Sequence, residues 1–76
     1  MKWLDKIQNK GIEKIIRERV QRYAIESEVK VDLNDLRVEF YDHDYKVTIP
    51  VEARTAEQLR NFERRLNSDP YLRGHL

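Results

Sequence analysis

Within SEVKVDLNDLRVEFYDHDYKVTIPV, residues 27–51, apolar and polar side chains alternate, and this two-residue period sets the architecture of the chain. Val29, Val31 and Leu33 alternate with Lys30 and Asp32. Leu36, Val38 and Phe40 alternate with Arg37 and Glu39, and Tyr45, Val47, Ile49 and Val51 with Lys46, Thr48 and Pro50. Each run has one apolar and one polar face, as a strand lying on a core requires. Asn34-Asp35 and Asp42-His43-Asp44 supply turns between the runs, because Asn and Asp bond their own backbone and tolerate left-handed conformations. Pro50 has no N–H to give to a ladder, which places the third run at an edge. The first run is short, so two element orders stand, α-β-β-β-α and α-β-β-α.

Upstream of Ser27 the period is helical. Leu4, Ile7, Ile12, Ile15, Ile16, Val20 and Tyr23 fall on one side of a helix spanning about Lys2 to Glu26, with a drift that begins near Gly11. A mid-helix Gly costs about 1 kcal/mol against Ala, so a close contact or a hinge at Gly11 competes with one continuous helix, the preferred reading. Downstream, Thr55-Ala56-Glu57-Gln58 has the spacing of a capping box, and Leu59, Phe62 and Leu66 form an apolar stripe behind it. Ser68-Asp69-Pro70 stops this second helix. The expected fold is therefore α+β: a small two-layer domain in which an antiparallel meander carries two helices on one face. Residues 1–76 form a single domain in this reading. The first two turns and residues 70–76 are the segments open to fraying, with a further turn at Pro70 as the alternative for the tail.

A chain of 76 residues buries only about 60% of its unfolded surface, which leaves little room for a deep cleft. It contains no Cys, which removes disulfides and thiolate zinc sites. No apolar run approaches the ~20 residues of a membrane span. Lys2 through Lys6 are too charged for a secretion signal, so a cytoplasmic protein is expected.

The net charge of +1 conceals three blocks. Residues 1–22 hold seven Lys/Arg against three Asp/Glu, residues 23–57 hold four against nine, and residues 58–76 hold four against two. Lys6, Lys10, Lys14 and Arg17 line up on the first helix, with Trp3 near the same line. Such a row suits a solvated face, and equally phosphates, anionic lipid or an acidic protein. Arg60 and Arg64 make a second basic patch on the last helix. Arg19 falls inside the apolar sector among Ile12, Ile15, Ile16 and Tyr23, where a guanidinium needs a partner or an interface. Glu26, two turns on, is the expected partner.

The α-β-β-β-α order is shared with double-stranded-RNA-binding domains, which carry a basic cluster at the start of the last helix. Here Thr55-Ala56-Glu57-Gln58 occupies that position, so any nucleic-acid binding falls to the basic stripe and reads no sequence. Asp42-His43-Asp44 reads as a solvated hairpin tip, not as a metal site: the loop has no Gly, and His75 is the only other His. Ser27 and Ser68 lie at element boundaries without a motif-placed base, and two glycines cannot build a phosphate loop. The functional expectation is a non-enzymatic module without cofactor, metal or small-molecule substrate. Its partner is another protein or a second copy, met through the first helix at Trp3, Lys6, Lys10, Lys14, Arg17 and Arg19 with Arg60 and Arg64. Polyanion binding, by nucleic acid before membrane surface, is the alternative.

Overall fold

The computed structural model describes residues 2–76, with side chains from Asn9 onward. Lys2–Ser27 form helix α1 and Ala56–Asn67 form helix α2. Between them lie β1 (Lys30–Val31), β2 (Arg37–Phe40), β3 (Tyr45–Thr48) and β4 (Val51–Glu52). The class is α+β, and the three alternating runs sit between two helices in the expected order. The third run is divided at Ile49-Pro50 into β3 and β4.

The pairing differs from a meander. β2 pairs antiparallel with β3, whereas β1 pairs with β4, so the strands form one long interrupted hairpin. Residues 32–36 on the outgoing arm stand opposite only Ile49 and Pro50 on the return. The physical reason lies at Asn34-Asp35. A two-residue reversal there would need left-handed conformations, and among the described non-glycine residues only Glu28 has positive φ. Instead Asp32 Oδ1 accepts the Asn34 N–H at 3.0 Å, and Asp32 O accepts the Asp35 N–H at 3.2 Å, which makes a local turn without reversing the strand. Pro50 contributes only its carbonyl, which accepts the Asp32 N–H at 3.3 Å.

α1 runs unbroken through Gly11, and a Cβ placed there would meet nothing within 4 Å. Neither close contact nor hinge accounts for this glycine. The helix ends in a Schellman motif: Val29 N–H bonds Ala24 O at 3.0 Å and Glu28 N–H bonds Ile25 O at 3.2 Å. Glu28 takes the left-handed position, φ 59°, that usually belongs to glycine. At the head of α2 the Thr55 hydroxyl accepts the Gln58 N–H at 3.1 Å, and Gln58 reaches back to the Arg54 N–H instead of to Thr55 itself.

One core joins all parts. Ile16, Val20 and Ala24 of α1 meet Val29, Leu36 and Val47 of the hairpin, Phe62 and Leu66 of α2, and Leu72 of the tail. The tail turns from Pro70 to Gly74, and Leu72 is fully buried. Glu26 meets Arg65 and Arg19 meets Asp69, so α1 and α2 run in opposite senses.

Gly11→Ala should stabilise the domain by up to about 1 kcal/mol. Glu28→Gly should give a similar gain by removing the left-handed penalty. Urea denaturation reads both. No gain at Gly11 would contradict a formed helix there, and a loss at Glu28 would contradict the cap.

Candidate functional site

The basic stripe of α1 divides in two. Lys10 and Lys14 are exposed, and the side chains of Trp3 and Lys6 lie outside the described residues. Arg17 belongs to the fold: it donates to Leu33 O at 2.7 Å and Leu36 O at 3.2 Å, and pairs with Glu13 at 3.2 Å. It therefore holds the loop between β1 and β2, while its side chain stays 38% exposed.

Arg19 is matched by a residue other than Glu26. Its Nη1 lies 2.8 Å from Asp69 Oδ2, and its guanidinium stacks 5.2 Å from the centre of the Tyr71 ring. Glu26 pairs instead with Arg65 of α2. The Asp69 side chain has no solvent exposure. Besides Arg19 it accepts the Tyr23 hydroxyl on Oδ2 and the Tyr71 N–H on Oδ1 at 2.9 Å. Burial pushes the Asp69 carboxyl upward, but the bonds from Tyr23 and Arg19, with the Tyr71 N–H, outweigh it and leave its pKa below the usual value. The same bond to Asp69, aided by burial, raises the Tyr23 phenol. Arg60 and Arg64 are exposed on α2.

At the far end of the tail, His75 docks on the outer edge of β3. Its carbonyl accepts the Val47 N–H at 2.7 Å, and its ring stacks on Tyr45 with centres 3.9 Å apart. Nδ1 lies 2.7 Å from Asp44 Oδ1 and 3.1 Å from Tyr45 O, so a proton there is shared between the two. The tail thus meets the hairpin tip through Asp44, while His43 is exposed. No group of three His, Cys, Asp or Glu among the described residues could hold a metal ion. No described helix is long and apolar enough to cross a membrane.

The edge of β2 is the feature that residue-type reasoning missed. Tyr41 N–H bonds Asp44 O at 2.7 Å across the tip, which fixes the phase of the ladder. In the register Glu39↔Lys46 and Arg37↔Thr48, these pairs exchange main-chain bonds, whereas Val38 and Phe40 turn theirs outward. On β3 the His75 carbonyl takes the outward Val47 N–H, His75 Nδ1 lies against the Tyr45 carbonyl, and Asp44 Oδ1 takes the Tyr45 N–H. The outward groups of Val38 and Phe40 have no partner among the described residues. Alternation alone marked both strands, but which edge is covered depends on the tail. Ile25 adds a separate apolar side chain, 71% exposed on α1.

No known protein family matches the chain, and neither a curated protein nor a solved structure matches it.

Asp69→Asn keeps the shape of the node but removes its charge, and should cost about 2 kcal/mol. The native pKa of Asp69 is depressed, so its contribution is complete above the unfolded value of about 4 and is lost as pH falls through the native one. Urea midpoints from neutral to acid pH should therefore fall more steeply below about pH 4 in the parent chain than in the variant. Equal slopes would contradict this role.

Proposed function

We propose that this chain is a non-enzymatic protein-interaction module whose binding surface is the open edge of β2. The observation that carries this reading is the unpaired main chain at Val38 and Phe40. A strand edge with free N–H and C=O groups accepts an added strand from another polypeptide, with affinity from main-chain bonds and selectivity from side chains. Self-association through α1, the version suggested by sequence, has less support. Arg19 is matched by Asp69, and Ile16, Val20 and Ala24 already belong to the core. A cytoplasmic setting is part of the same proposal.

Val38→Pro removes an N–H that the hairpin does not use, so it should leave the fold intact while blocking strand addition. Immobilised parent chain should retain a protein from nuclease-treated extract, and the variant should lose it. Retention that depends on intact nucleic acid would overturn the reading.

A second reading rests on Lys10 and Lys14 of α1 and Arg60 and Arg64 of α2, exposed cations without ion pairs among the described residues. These would bind a polyanion without reading sequence. Trp3, the sole Trp, offers a fluorescence readout. Titration with RNA, DNA and anionic vesicles should then perturb it at low salt and lose effect steeply as salt rises. An unchanged signal with all three would remove this reading.

A further inference from the structure

We infer that the occupant of the β2 edge is β2 of a second copy of this chain, paired antiparallel about a two-fold axis at Val38. This rests on the interaction-module reading and names its partner.

The outward main-chain groups of β2 belong to its even-numbered residues. An antiparallel partner strand must therefore set even residues opposite even residues to form its ladder. Centred on Val38, the two copies of that residue exchange both of their free main-chain bonds. Arg37 then stands opposite Glu39 of the second copy, and Glu39 opposite its Arg37. Leu36 stands opposite Phe40 on the other face, where Val38 and Phe40 are only half-buried in the single chain. Directly opposed unlike charges stabilise a sheet pair, and opposed like charges destabilise it.

The neighbouring registers fail on charge. A slip of two residues in one direction sets Arg37 against Arg37, and in the other sets Glu39 against Glu39. The segment RVEF is thus complementary to itself in one register and repulsive in the next on either side. An isologous two-fold contact asks for this property, because the same patch must serve both sides. The strand contains neither Pro nor Lys, two of the residue types that blunt an edge. Pairing ends at Leu36, whose carbonyl is already held by Arg17 and where the 32–36 loop interrupts the hairpin.

Reciprocal charge exchange tests the arrangement. Arg37→Glu sets carboxylates against carboxylates in its own dimer, and Glu39→Arg sets guanidinium groups against guanidinium groups. When the two variants are mixed, every opposed pair is again unlike. Sedimentation velocity over a concentration series should show the parent chain dimerising and each single variant at least about tenfold weaker. The equimolar mixture should recover the parent's association, which also establishes that both variants are folded. A parent chain that stays monomeric throughout overturns the second copy as occupant, while the module reading stands or falls by the capture experiment. Association that both variants retain overturns the β2 edge as the contact but leaves self-association intact. Loss in both without recovery on mixing overturns the two-fold register.

Discussion

A carboxylate removed from water inside a 76-residue domain has to be answered by donors, because the core around it is too small to absorb an unpaired charge. Asp69 is answered by three: Arg19 and Tyr23 from α1 and the Tyr71 N–H from its own turn. These bonds fasten the end of α2 across α1 and set the direction in which the tail leaves. Leu72 then enters the core, and Gly74, at φ 82°, lets the chain bend so that His75 reaches β3. The covering of the β3 edge by His75 therefore depends in part on the direction that the Asp69 node gives the tail. The Tyr45 hydroxyl, which donates to Tyr71 O at 2.6 Å, adds a direct bond between β3 and the tail.

Arg17 plays the corresponding part on the outgoing arm. A loop of five residues facing two leaves carbonyls without ladder partners. The guanidinium fork of Arg17 takes two of them, at Leu33 and Leu36, while its stem lies along the domain. This lets Leu36 enter the core at 2% exposure although the strand is interrupted beside it. Arg17, which lines up with the lysines on a helical wheel, and Arg19, which falls in the apolar sector, thus both tie the fold together.

Local signals were legible in the sequence because they are settled within a few residues. The Thr55 cap, the Leu59-Phe62-Leu66 stripe and the alternating runs depend on neighbours up to one helical turn or one strand away. Arg19 in an apolar sector announced that it needed a partner. It could not announce Asp69, fifty residues away, when Glu26 shared its helix and azimuth. Ser68-Asp69-Pro70 read correctly as a helix stop, and that role concealed the second one. The pairing of β1 with β4 was hidden for a similar reason. Asn34-Asp35 is compatible with a tight reversal, and only the absence of left-handed φ at both residues distinguishes the interrupted hairpin from a meander.

The asymmetry between the two edges is best understood through what water does for each. Main-chain groups on an exposed edge are hydrated, so the open edge of β2 is not strained and does not by itself demand a partner. Selectivity must come from side chains that make wrong pairings worse, not from the free N–H and C=O groups that every edge shares. On β2 the residues in a position to do this are Arg37 and Glu39, both exposed and two apart on the same face. On β3 the corresponding exposed positions are Lys46 and Thr48, which offer no such reciprocal pattern, and there the tail closes the edge instead. The edge that carries a discriminating charge pattern is left open, and the edge that lacks one is covered by the chain's own His75.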